Sequence, residues 1–176
     1  MNDTKSPGKT IRPQAEIAGD LTHVDEPSGK WLVLTAALLG WGFDGLEMGI
    51  FPLIASPALK SFHVNAAHWN GIFTSVFLIG AACGGLVFGW LGDKVGRVRA
   101  MTFSVLAYSI CTGLGYFSTG PGQLATLRFF AALGMGGEWS LGVALVMEIW
   151  PENRRPILAG IIGAATNVGF ALIAIV

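Results

Sequence analysis

The stretch WNGIFTSVFLIGAACGGLVFGWLGDKVGRVR, residues 69–99, decides the fold. Its leading part, Trp69–Leu91, contains no charged residue, while its last eight residues hold Asp93, Lys94, Arg97 and Arg99. A hydrocarbon core about 30 Å thick needs about 20 apolar residues of helix to cross it. Trp69–Leu91 meets that length. The basic cluster directly behind it has the character of a cytoplasmic connection, where Lys and Arg collect.

Four more segments read the same way: Trp31–Leu53, Ala100–Phe117, Leu124–Ile149 and Ile157–Val176. Composition agrees. Hydrophobic residues make up 52% of the 176 and charged residues 12%, against about 25% charged in ordinary soluble domains. Mean hydropathy is +0.59. So few charges cannot cover a water-facing surface, so the lipid bilayer is the expected solvent. Net charge is zero, which gives no basic patch and no nucleic-acid partner.

Residues 1–30 differ from the rest. They are polar, of mixed charge, and read as a disordered cytoplasmic tail. Lys5, Lys9, Arg12 and Lys30 lie there. Lys94, Arg97 and Arg99 lie in the second connection, and Arg154 and Arg155 in the fourth. The first connection has only Lys60 and the third has no Lys or Arg. This alternation puts the N-terminus and connections two and four in the cytoplasm. A multi-pass protein of the plasma membrane, in bacteria the inner membrane, is expected. The fifth span runs to Val176 without a flanking polar residue, which reads as a truncated chain.

Gly45-x-x-x-Gly49, Gly80-x-x-x-Gly84 and Gly85-x-x-x-Gly89 mark spans one and two. Small residues let membrane helices approach closely, and packing within one bundle is the expectation. Cys83 and Cys111 sit in apolar runs and read as small core residues, while His63 and His68 read as solvated. Leu39-Gly40-x-Gly42-x-Asp44 echoes Leu133-Gly134-x-Gly136-x-Glu138, as repeated helical units would.

Ionisable residues inside the spans are few: Asp44 and Glu47 in the first, Arg128 and Glu138 in the fourth. A charge in hydrocarbon costs several kcal/mol and marks a pathway or a partner. At about 1.5 Å of rise per residue, Asp44 and Arg128 lie at similar depths, about 20 and 22 Å from the inner edge. A pair across a central cavity follows, set against a snorkelling Arg128. A solute that drew Arg128 away would let Asp44 take up a proton, a route to proton coupling. Glu47 and Glu138 are further candidates for solute or proton contact.

Enzyme motifs fail. Gly134-Met135-Gly136-Gly137 follows no strand, and Gly92-Asp93-Lys94-Val95-Gly96-Arg97 lacks the Gly-Lys-Ser/Thr ending of a phosphate loop. No Ser/His/Asp, Cys/His or metal-ligand spacing is present, so neither an enzyme nor a metal site is expected.

The run Gly89–Arg99 resembles the signature loop between spans two and three of the major facilitator superfamily. Gly42-Phe43-Asp44 is similar to the Gly-aromatic-Asp of its proton-linked members. Arg128-Phe129 through Glu138 resembles the span-four pattern, and Glu148-x-Trp150-Pro151 with Arg154-Arg155 resembles the ending at connection four. The resemblance covers about residues 31–176. It implies an all-α polytopic membrane protein, the N-terminal helical bundle of a major-facilitator-type fold, with about five of twelve transmembrane helices present. The missing C-terminal bundle of the same protein would be the partner. Secondary transport by alternating access is implied, driven by a proton gradient with no cofactor. Gly89, Asp93, Gly96, Arg97, Glu148, Arg154 and Arg155 would form a gating network. Asp44, Arg128, Glu47 and Glu138 would serve proton coupling and solute. Gly136–Trp139 looks closest to organic-acid and sialate-type proton symporters, so a small anionic solute (monocarboxylate, aromatic acid or sialate-like) is expected. A sugar-type symporter and a non-transporting sensor or scaffold of the same fold are the alternatives.

Overall fold

The computed structural model describes residues 27–175. Most of the expected tail, residues 1–26, lies outside the described residues, as does Val176. Five α-helices follow one another: α1 (Pro27–Ser61), α2 (Ala66–Val95), α3 (Arg97–Leu114), α4 (Pro121–Ile149) and α5 (Arg155–Ala174). Each is long and apolar enough to cross a membrane. Short 3-10 turns, Gly115–Phe117 and Glu152–Arg154, close α3 and open α5.

The helices overrun the apolar segments in informative places. α1 passes Leu53 and carries Pro52 and Pro57 inside it to reach Ser61. Asn65 caps α2, its side chain accepting from the His68 N–H at 3.2 Å. At its other end α2 absorbs Gly92, Asp93, Lys94 and Val95, so the expected turn shrinks to Gly96 alone. Gly96 has φ 96°, a conformation that costs an L-residue with a side chain about 1–2 kcal/mol.

α4 is the hub. It packs against α2 on one side and α3 on the other, while α1 packs chiefly on α5. Glycine makes these approaches possible. A Cβ at Gly80 would come 2.6 Å from the Phe129 carbonyl, and one at Gly134 the same distance from the Ser104 carbonyl. On the other seam, a Cβ at Gly45 would fall on the Thr166 carbonyl. The glycine pairs therefore serve packing within the bundle, as expected. Gly89 is the exception, since a side chain there would meet nothing within 4 Å.

Four clusters of buried apolar residues line the seams, among them Leu59 with Phe73 and Ala125, and Phe88 with Leu141 and Ala100. The outward faces carry Leu86, Val87, Ile157 and Val168 in exposed positions. In a bilayer these faces meet lipid tails, which are as apolar as the side chains. Cys83 also lies on an exposed face of α2 rather than in the packing expected for it, whereas Cys111 is half-buried. His63 and His68 are exposed, in keeping with their polar connection.

Candidate functional site

α1 and α4 run antiparallel, and the seam between them gathers the ionisable residues. Arg128 is 7% exposed and forms an ion pair with Glu47. Its guanidinium carbon lies 4.0 Å from the Phe51 ring centroid and 4.6 Å from that of Phe77. The rings attract the cation through their quadrupoles. Phe51 follows Glu47 by one helical turn on α1, and Phe77 comes from the buried face of α2.

The expected Asp44–Arg128 pair does not form. Asp44 instead accepts a hydrogen bond from the Trp139 indole N–H at 2.8 Å. The reason is side-chain direction. Every helical Cα–Cβ bond tilts toward its own helix N-terminus. Arg128 therefore leans toward the start of α4, where it meets Glu47, the acid nearer that end. Asp44 leans the other way along α1 and meets Trp139, eleven residues further into α4. Comparing Cα depths alone misses this.

Glu138 is fully buried, and neither of its carboxyl oxygens has a hydrogen-bond partner. Its carboxyl lies against Gly40, where a Cβ would fall on Oε1. Asp44 is fully buried too, and its Oδ1 is also without a partner. The two glycine–acid motifs that echo each other in sequence thus meet in space. Gly40 of one makes room for Glu138 of the other, and Trp139, next to Glu138, holds Asp44. An ionised carboxylate without a counter-charge is costly in a dry interior. This pair of acids is consequently chemically unlike the neutralised Glu47–Arg128 pair.

The opposite, arginine-rich end of the bundle holds a second network. Arg97 donates to Glu148 at 3.1 Å from Nε, and its Nη2 lies 2.8 Å from Asp93. Asp93 in the last turn of α2 and Arg97 at the start of α3 sit four residues apart across Gly96. Glu148, near the end of α4, thus goes to Arg97 and not to Arg154 or Arg155. Arg155 instead donates to the Trp150 carbonyl at 3.2 Å and pairs with Glu152 at 3.5 Å. Arg154 is exposed in the short turn before α5.

Sequence reading missed Phe51, Phe77 and Trp139 as members of the site. Helical spacing held the signal for one of them: Phe51 follows Glu47 by four residues and so shares its face.

Comparison with known proteins places the chain in a family. The chain is 31% identical over 152 residues to a niacin transporter of Acinetobacter baylyi, a match covering 85% of this chain and 34% of that protein. It is 32% identical over 147 residues to a sialic acid transporter of Escherichia coli, covering 84% of this chain and 36% of that one. With a gentisate transporter of Corynebacterium glutamicum it shares 30% over 145 residues, covering 81% and 32%. The chain thus spans about a third of the length of these relatives. No solved structure matches it. Residues 31–176 match the Major Facilitator Superfamily profile, and with its bundle of spanning helices the chain belongs to that family of membrane transporters.

Proposed function

We propose that the complete protein is a secondary active transporter that couples a proton gradient to symport of a small organic anion. One observation carries this reading: two sets of charges are segregated on the α1–α4 seam. Glu47 neutralises Arg128, whereas Asp44 and Glu138 are buried without a basic partner among the described residues. Arg128 is the anion-binding group. A guanidinium has five N–H donors in a fork that suits a carboxylate, and Glu47 engages one edge of it. Asp44 and Glu138 take the proton. Protonation removes a charge from the dry interior and lets the bundle close over the site. Niacin, sialic acid and gentisate, for which the relatives are named, are all carboxylic acids, which supports an anionic solute.

The Asp93–Arg97–Glu148 network acts as the gate at the cytoplasmic end, tying α2, α3 and α4 together in one of the two access states. Gly96 supplies the joint, and Arg154 and Arg155 flank it on the next connection. The bacterial inner membrane is the proposed location.

Vesicles holding the complete protein test the reading. An inward gradient of the correct acid is expected to carry protons inward, seen as acidification by an internal dye. Absence of acid-driven proton uptake across a panel of monocarboxylates, aromatic acids and sialate would sink it.

A further inference from the structure

A symporter works only if its solute and proton sites communicate, yet Arg128 and Asp44 make no direct contact. One chain of side chains joins them. The Phe77 ring centroid lies 4.6 Å from the Arg128 guanidinium carbon. The same ring meets the Trp139 indole in a T-shaped contact, with centroids 6.4 Å apart. The Trp139 N–H in turn donates to Asp44 at 2.8 Å. The geometry points to Trp139 as a positioning residue that links anion occupancy at Arg128 to protonation of Asp44, with Phe77 as the contact between them. This inference rests on the proton–anion reading and names how its two halves communicate.

Three features carry it. First, Trp139 is the one hydrogen-bond donor to the Asp44 carboxyl among the described residues, since Oδ1 has no partner. A hydrogen bond to a carboxylate is roughly twice as strong as one between neutral groups. Protonation of Asp44 therefore loosens the indole, and ionisation draws it back. This bond is the element with two states that coupling requires. Second, the path has no slack. Asp44 is fully buried, and Phe77 is 7% exposed and packs in one cluster with Ala132, Met135 and Trp139. Interiors packed this closely pass a displacement on instead of absorbing it. Third, an anion acts at the other end. Phe51 and Phe77 hold Arg128 besides Glu47. An anion that draws on the guanidinium displaces a cation resting on the Phe77 ring.

Charge acting through space is the rival route. Arg128 and Glu138 on α4, Glu47 on α1 and Tyr108 on α3 surround Asp44 electrostatically. α2 between Trp69 and Leu91, and α5 beyond Arg155, bring no charged residue. A through-space effect does not need the indole N–H, which separates the two routes.

The discriminating measurement is the solute Kd of the full-length transporter, followed from about pH 5 to 9. The probe is whichever of nicotinate, benzoate and N-acetylneuraminate the wild type takes up into vesicles. Linkage is reciprocal, so the wild-type Kd is expected to differ about tenfold between its high-pH and low-pH plateaus. Trp139→Phe keeps a ring against Phe77 but removes the N–H. Phe77→Leu keeps the Trp139–Asp44 bond but removes the shared ring. Each is expected to bring the plateau ratio close to one. A merely structural role moves both plateaus together, and the ratio is independent of the active fraction and of where the midpoint falls. Benzothienylalanine in place of Trp139, the same shape without the N–H, gives the same test if Phe disrupts folding. An unchanged ratio in any of these variants overturns the link in favour of through-space coupling and leaves proton-coupled transport standing. So does a wild-type Kd that ignores pH while the same acid drives proton uptake, and that result needs no variant. Absence of proton uptake with every anion overturns both the link and the reading beneath it.

Discussion

Arg128 depends on geometry more than on charge. Its guanidinium lies against two rings and is paired to Glu47, and a lysine ammonium lacks both its planar face and its fork. Arg128→Lys is expected to lower kcat/KM for solute at least about tenfold in vesicle uptake, though the charge is kept. Unchanged uptake would remove Arg128 from the site. Glu138 makes the opposite prediction. Glu138→Gln keeps the shape and removes the titratable group, so solute exchange between equal pools should persist while gradient-driven accumulation falls to background. Both residues were legible in sequence, because an ionisable group within an apolar span is conspicuous. Their surroundings were not. Depth along a helix fixes which residues are level, but the tilt of each side chain decides which of them touch.

At the scale of the elements, α4 is the member that the others pack around. Leu141 on α4 is fully buried against Phe88 and Ala100, whereas Leu86 on α2 is 78% exposed. Leu141→Ala is expected to cost about 2–5 kcal/mol, as cavity-forming core substitutions do. Leu86→Ala, which faces lipid or detergent, should cost far less. Thermal unfolding of the full-length protein in detergent would compare them, and equal shifts would contradict the hub role of α4. Gly84→Leu should be more severe, because its side chain would fall on the Leu133 backbone. Loss of the monodisperse species in size-exclusion chromatography would report it. Hydropathy placed all five helices but misplaced their ends. Asp93 and Lys94 end the apolar run, yet the α2 backbone continues helical to Val95, since charge does not oppose a helix where it leaves the membrane. Only Gly96, with its positive φ, stops it.

For the whole molecule, two groups of helices can be distinguished: α2, α3 and α4 on one side, α1 and α5 on the other. Apolar clusters join them, such as Leu59 with Phe73 and Ala125, and so do two polar contacts, Glu47 to Arg128 and Asp44 to Trp139. On the proposed transport reading, a change in solute or proton binding would act on these polar contacts where the groups meet. The proposed sidedness rests on the distribution of Lys and Arg and is open to a direct check. In a background lacking Cys83 and Cys111, His63→Cys should react with an impermeant thiol reagent on intact cells, and Lys94→Cys only after permeabilisation. The reverse pattern would invert the proposed orientation. The family was legible because its motifs lie in connections and glycine-rich turns of helix that sequence displays openly. The aromatic surround of Arg128 was not, because Phe51 and Phe77 look in sequence like any other membrane-helix phenylalanines, and only packing brings them to one arginine.

The single-residue joint at Gly96 has a practical corollary for anyone handling this protein. Helix stops and restarts there within one peptide unit, and Arg97 on its far side is already committed to Asp93 and Glu148. Epitope tags, protease sites or fluorescent inserts placed between α2 and α3 would pry those partners apart. The stretch from Phe62 to Asn65, between α1 and α2 with exposed His63 and Asn65, is the roomier place to cut, label or splice.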